Sequence, residues 1–286
     1  MRSIGTGIPY LIQQPVRAFK GSLVLHRIVL MIYLYYIRAF KDAAFLYGVV
    51  EDAASEKKAL GEAHLLVEAA RQKLWQKKLG AFSDRRQDNA MAVFAGAVTA
   101  SERNSIYDAV FQPKSTAWKQ IATPYYDNYM LFAMSDCGHT PEALRFARAY
   151  WGGMLAEGAT SFWEGYDLSW PKKHFHKYLQ ADNGMGYFVS LCHGWSSGVT
   201  AWLTERVLGV RPTGAAFSTA VIAPDLGYLH WVKGDVPTPN GILRVEVKRI
   251  GDRLVGYAVL PKGVTAVLKA NAKKETVSGP GRFPLP

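Results

Sequence analysis

The apolar positions change their period along this chain, and each change marks a different kind of element. From Ser22 to Val50 they follow one another with few breaks, and the run Ile28-Val29-Leu30-Met31-Ile32-Tyr33-Leu34-Tyr35-Tyr36-Ile37 contains no charged residue. A helix this apolar on every side is expected where other helices enclose it. Residues 55–78 instead set Leu60, His64-Leu65, Ala69 and Leu74 among charged positions, the pattern of an amphipathic outer helix. Inner and outer helices in succession predict a double ring, in which one set lines a cavity and the other covers it. A turn at Gly80-Ala81-Phe82-Ser83-Asp84 follows, then helices near 87–98, 101–110 and 124–136. Thr140 is suited to cap the next helix, with Pro141 at its first position, where a missing N–H costs nothing. Leu144, Ala147, Trp151, Met154 and Leu155 then recur at helical spacing until Gly158. Residues 159–194 are rich in Gly, aromatics and His without a period, and an irregular excursion of that length is more often functional than ornamental. A last helix spans 196–208 and is closed by Gly209 and Pro212.

Beyond Pro212 the pattern becomes short alternating segments, Thr219–Ile222, Leu229–Val232, Ile242–Lys248, Arg253–Val259 and Val264–Leu268. Asn240-Gly241 and Gly251-Asp252 fit tight hairpin turns between them. The chain therefore reads as mainly α followed by β. An irregular lead-in occupies 1–21, a helical domain 22–213, and a small antiparallel β-sandwich 214–286.

Charge narrows the function less than it first promises. Lys and Arg number 34 against 23 Asp and Glu, a net +11 that would suit a polyanion. The basic residues are scattered pairs, such as Lys57-Lys58, Lys77-Lys78 and Lys172-Lys173, with no basic run and no nucleic-acid motif, so no nucleic-acid partner is expected. The apolar run at 28–37 is too short for a bilayer, which needs about twenty residues, and it lies late for a signal peptide. A buried helix, no membrane and a cytoplasmic location are the expectation. Cys137 and Cys192 read as two buried thiols. The pair His174 and His176, even with His193 nearby in sequence, fixes no third ligand by spacing, so neither a metal nor another cofactor is expected.

Four ordered segments carry a family resemblance. Ala149-Tyr150-Trp151-Gly152-Gly153-Met154-Leu155-Ala156-Glu157-Gly158 runs into Ala159-Thr160-Ser161-Phe162-Trp163-Glu164. Cys192-His193-Gly194-Trp195-Ser196-Ser197-Gly198, Val207-Leu208-Gly209-Val210-Arg211-Pro212 and Gly234-Asp235-Val236-Pro237-Thr238-Pro239-Asn240-Gly241 follow in order. The set resembles the bacterial α-L-rhamnosidases of glycoside hydrolase family 78. The resemblance implies a partial (α/α)6 six-hairpin toroid ahead of the β-sandwich, and inverting hydrolysis of terminal α-L-rhamnosides. In that mechanism one carboxylic acid protonates the leaving oxygen while an opposite carboxylate activates water. By motif match Glu164 is the base, and His193 and Trp195 are sugar-binding. Trp163 beside the base, Tyr126 at the start of an inner helix, and Asp167 and Trp170 just beyond complete the expected substrate-binding set. Apart from the resemblance, Glu164 also reads as a surface carboxylate, His193 as a core histidine and Tyr126 as a packing tyrosine.

The pattern departs from the family in one respect. Its general acid belongs to an upstream motif with a Trp and a terminal Gly-Asp, and residues 1–140 contain none; the nearest acidic cluster, Ser83-Asp84-Arg85-Arg86-Gln87-Asp88, lacks those elements. Six helix pairs need twelve helices, and the periodicity supplies about seven. The chain thus reads as half a catalytic domain. Three alternatives stay open: a truncated rhamnosidase, a subunit completed by a separate N-terminal polypeptide, and a non-catalytic or degenerate carbohydrate-binding protein. The expected partners are a rhamnose-containing oligosaccharide or glycoside, with an N-terminal half-domain or self-association covering the open edge.

Overall fold

A computed structural model describes residues 23–115, 123–167 and 190–286. The chain separates into two compact units, Met1–Gln120 and Ile121–Pro286.

In the first unit, α1 (Leu23–Val49) and α2 (Ala53–Leu74) form a hairpin. Asp52 caps α2 by accepting from the Ser55 N–H at 3.0 Å. The stripe Ala59, Ala63, Leu66, Ala70 and Leu74 is the buried face of α2, and its small residues let the two backbones approach. A short α3 (Arg86–Phe94) is buried along most of its length, and α4 (Ala100–Ile106) opens with a reciprocal cap between Thr99 and Glu102 before continuing as a π-turn at Tyr107–Phe111. Lys41 of α1 donates to the carbonyls of Ala95 and Gly96 at 2.7 and 3.0 Å, supplying a cation to the C-terminal end of α3.

One expectation fails here. Helix α1 is not enclosed. Leu30, Leu34 and Ile37 are fully buried, but Ile28, Ile32, Tyr35, Tyr36, Phe45 and Leu46 are between 41% and 62% exposed. An all-round apolar helix needs neighbours on every side, and among the described residues of this unit α2 and α3 leave part of α1 exposed. Among the described residues no helix is long and apolar enough to cross a membrane.

The second unit begins with α5 (Pro124–Asp136) and α6 (Thr140–Ala156). Thr140 is the first residue of α6 and not its cap; His139 holds the cap position without a side-chain cap bond. Glu157 ends the helix, and Gly158 turns the chain away at φ +93°. Residues Gly194–Ser197 form a 3-10 turn that runs into α7 (Gly198–Trp202) and a π-turn at Leu203–Val207. This helical stretch is pinned to the end of α5. Trp202 Nε1 donates to Ser135 Oγ at 3.0 Å, and the Arg206 guanidinium grips Asp136 with two bonds of 2.8 and 3.2 Å. Gly209 then turns the chain at φ +82°, where a Cβ would lie 2.2 Å from the Ala223 carbonyl carbon, so only glycine fits.

Eight strands follow: β1 (Val210–Pro212), β2 (Thr219–Ile222), β3 (Trp231–Thr238), β4 (Gly241–Ile250), β5 (Arg253–Leu260), β6 (Thr265–Ala270), β7 (Lys273–Ser278) and β8 (Gly281–Pro284). They make two four-stranded sheets, ordered β1-β2-β6-β7 and β3-β4-β5-β8. Leu243, Val245 and Val247 from one sheet and Ile222, Ala266 and Leu268 from the other share a core, with Arg244, Glu246 and Lys248 on the outer side of β4. The sandwich is not wholly antiparallel. After β2 the chain crosses to the other sheet for three strands and returns as β6 beside β2 in the same direction, so that pair is parallel. The strand expected at Leu229–Val232 starts at Trp231, and β1, β7 and β8 had no alternation long enough to announce them.

Candidate active site

The loop after α6 is held by backbone pairing with a segment far along the chain. The Glu164 N–H donates to the Ser190 carbonyl at 2.8 Å, and the His193 N–H donates to the Phe162 carbonyl at 2.7 Å. Ser161 Oγ donates to the Leu191 carbonyl. Beneath this pairing the loop is fastened to α6. Tyr150 Oη donates to the Tyr166 carbonyl at 2.9 Å, and Trp151 Nε1 donates to the Ser196 carbonyl at 3.0 Å. Both strands of the loop are thus tied to one helix. A catalytic side chain placed here keeps its position because the supporting bonds are to backbone.

Glu164 has its carboxylate a third exposed. Its Oε2 accepts from the Ser190 N–H at 2.9 Å and lies 3.9 Å from His193 Nδ1. Both contacts fall on Oε2. The His193 and Trp195 rings are 4.2 Å apart between centroids, and Trp195, 48% exposed, stands 5.5 Å from Tyr125. Tyr125 in turn meets Tyr126 edge-on at 5.0 Å. Glu164, His193, Trp195 and Tyr126 therefore fall along one connected set of contacts, with Tyr125 the member that links the last two.

The remaining expected residues separate from this set. Trp163 is 5% exposed and packs near Tyr166, so it supports the loop from inside and offers no face to a sugar. Asp167 is half-buried, and its charge reaches the Tyr166 phenol, which burial first, then Glu157 and Asp167, push above its ordinary value. Trp170, His174 and His176 lie outside the described residues. Neither cysteine is in a disulfide, and neither is buried as expected: Cys137 is half-buried and Cys192 exposed. No group of three metal-ligating side chains occurs among the described residues.

Sequence reasoning overlooked Ser190 and Tyr125. Ser190 reaches Glu164 across 26 positions through its backbone, which no side-chain pattern encodes. Tyr125 was visible as an aromatic neighbour of Tyr126, but which of two adjacent tyrosines faces the loop depends on how α5 is rotated. Gly198 fixes part of that setting: a Cβ there would lie 2.4 Å from the Asn128 side chain, so the turn into α7 approaches α5 closely.

A partly exposed carboxylate with an imidazole and tilted or edge-on aromatics at hand, on a helical frame followed by a β-sandwich, is the arrangement of a helical glycosidase domain with an appended β domain, and the family models bear out that class. Residues 26–207 match the bacterial alpha-L-rhamnosidase 6 hairpin glycosidase domain, and residues 209–282 match the bacterial alpha-L-rhamnosidase C-terminal domain. The chain belongs to the bacterial α-L-rhamnosidase family. An alpha-L-rhamnosidase of Alteromonas sp. (strain LOR) is 28% identical over 147 residues, 47% of this chain and 15% of that protein. The GH78 family rhamnosidase of Bacillus sp. GL1 is 23% identical with a TM-score of 0.64, over 82% of this chain and 26% of its own. The Streptomyces avermitilis α-L-rhamnosidase, solved with L-rhamnose, is 18% identical with a TM-score of 0.70, over 90% of this chain and 27% of its own. This chain thus spans about a quarter or less of the length of these relatives.

Proposed function

We propose that this chain supplies the base side of an inverting α-L-rhamnosidase site, with Glu164 activating the water that attacks the anomeric carbon. The observation that carries this is the setting of the Glu164 carboxylate: Oε2 is fixed by the Ser190 N–H at 2.9 Å and lies 3.9 Å from His193 Nδ1, and the side chain stays a third exposed. A fixed and partly exposed carboxylate can orient a water and take its proton. His193 and Trp195 border the terminal sugar, the imidazole by hydrogen bonding and the indole, 48% exposed, by stacking. Tyr125 and Tyr126 extend the aromatic wall. The leaving oxygen needs a carboxylic acid on the opposite side of the sugar, about 6.5–9.5 Å from the base. That acid, and the helices that cover the open side of α1, come from a complementary half-domain.

The test is turnover of an aryl α-L-rhamnoside. The purified chain alone is expected to show little or none, since loss of general-acid assistance forfeits on the order of 10²–10⁴-fold in rate. Co-expression with the upstream half of a relative's six-hairpin domain should restore activity, and Glu164→Gln should remove at least a hundredfold of it. Turnover by the complemented protein that survives Glu164→Gln would sink the assignment of the base. Robust turnover by the chain alone would sink the half-site. A purely carbohydrate-binding role would show as L-rhamnose binding with no turnover under complementation.

A further inference from the structure

The outer face of sheet β3-β4-β5-β8 has chemistry that packing does not require. Strand register places Trp231 and Lys248 directly opposite each other, and Lys233, Glu246 and Tyr257 in the adjacent row across three strands. Together with Arg282 they border a cavity of about 770 Å³ that opens to solvent. That volume lies within the roughly 300–1,000 Å³ typical of small-ligand sites. Trp231 is 61% exposed, far more than an indole that serves only the core.

The polar groups are arranged around the aromatic ones. Tyr257 Oη donates to Glu246 Oε2 at 2.8 Å, which leaves Glu246 Oε1 as an acceptor. The Arg282 guanidinium lies 3.6 Å over the Tyr257 ring, and Lys233 Nζ is 6.0 Å from the centre of the Trp231 ring. Against the single carboxylate of Glu246 stand four cations in the lining, Lys233, Lys248, Arg249 and Arg282. A polyphosphate would gain from the cations but be repelled by Glu246 at their centre. A sugar ring uses all of these groups. Its C–H face stacks on the indole, its hydroxyls need both donors and acceptors, and an acid group on its rim meets the excess positive charge.

We infer that this face of the β-sandwich is a second saccharide site, distinct from the Glu164 loop, that binds an anionic sugar with its ring on Trp231 and its acid group held by Lys233 and Lys248. The inference stands on this face alone and needs no catalytic role for Glu164.

Isothermal titration of the full chain tests it, with trigalacturonate as the carboxylated probe, a sulfated trisaccharide as the alternative acid, a neutral trisaccharide, and tri-glutamate as an anion with no sugar. One or both acidic saccharides should bind. Trp231→Ala and Lys248→Ala should each weaken that binding at least fivefold, and the neutral sugar and tri-glutamate should bind at least tenfold more weakly. Both side chains are exposed, so thermal melts of the variants should match the parent. No binding of either acidic sugar, equal binding of tri-glutamate, or affinity unchanged by Trp231→Ala would each overturn the site.

Discussion

The β-sandwich and helix α1 are both rich in large apolar residues and treat them in opposite ways. In β4, Leu243 and Val245 are fully buried, and Val247 nearly so, while the residues between them face water. In α1, Leu34 and Ile37 are as deeply buried, yet Ile28, Ile32 and Phe45 on the same helix are about half exposed. Alternation with period two sorts a strand's residues onto two faces, so two sheets can close a core without help. A helix apolar on all sides has no face meant for water, and it is complete only when other helices surround it. The sandwich closes its own core, whereas α1 carries apolar side chains that its described neighbours leave exposed.

The contrast is sharpest where the core is closed. Leu243→Ala should cost about 2–5 kcal/mol of β-domain stability, the usual range for a buried Leu truncated to Ala. Urea unfolding followed by a probe in the sandwich would show it. A loss below about 1 kcal/mol would mean that the sandwich is looser than its buried residues imply.

Two carboxylates extend the comparison to pH. Asp88 of α3 accepts from Ser83 Oγ at 2.7 Å and is 4% exposed; burial pushes its carboxyl above the ordinary 3.8, against the pull of Ser83, Arg85 and Arg27. Between 3.8 and the raised value the folded protein holds a proton that the unfolded chain has released, so stability falls as pH rises through that window and stays lower above it. Asp88→Asn keeps an acceptor for Ser83 and cannot ionise. The variant should therefore lose that decline and be the more stable protein above the window, by less than the Leu243 effect. Thermal melts from pH 3 to 8 that kept the parent's slope in the variant would refute this. Asp235 on β3 has the opposite sign: paired with Arg244 at 2.6 Å, its carboxyl is held below the ordinary value. Its contribution is present above the ordinary value and lost as pH falls through the folded one, and full exposure to screening keeps it small.

How much could be read in advance follows the same division. Helices and strands with a sustained period were legible: the breaks near Val50, Gly158 and Gly209 are all places where the chain turns, and Gly251-Asp252 is a hairpin turn, whereas the turn expected at Asn240-Gly241 falls one residue earlier, at Pro239-Asn240, with Gly241 already paired in β4. The short strands β1, β7 and β8 were not, because three to six residues carry too little alternation to separate strand from loop. The parallel β2–β6 pair depends on how the chain crosses between sheets, which no local pattern records. At the candidate site, Glu164, His193 and Trp195 were legible from the motif segments. The burial of Trp163 was not, and neither was the grip of the Ser190 backbone on Glu164, which joins positions 26 residues apart.

The smallest expected change in stability is also the most discriminating. Ile32 and Leu34 are two residues apart on α1, one 49% exposed and the other fully buried. Leu34→Ala should cost about 2–5 kcal/mol, whereas Ile32→Lys should change the stability of the monomer by no more than about 0.5 kcal/mol. What Ile32→Lys should change is association. A contiguous exposed apolar face that includes Ile28, Ile32, Tyr35 and Tyr36 tends to be covered by another copy. Sedimentation velocity of the parent chain should accordingly show concentration-dependent oligomers. Ile32→Lys combined with Leu46→Lys should shift the distribution toward monomer, because an ammonium placed in such a contact must be desolvated without a partner. A parent chain that sediments as a sharp monomer across concentration would refute the open face. So would an Ile32→Lys variant as destabilised as Leu34→Ala, since only a residue already enclosed within the folded chain can cost that much.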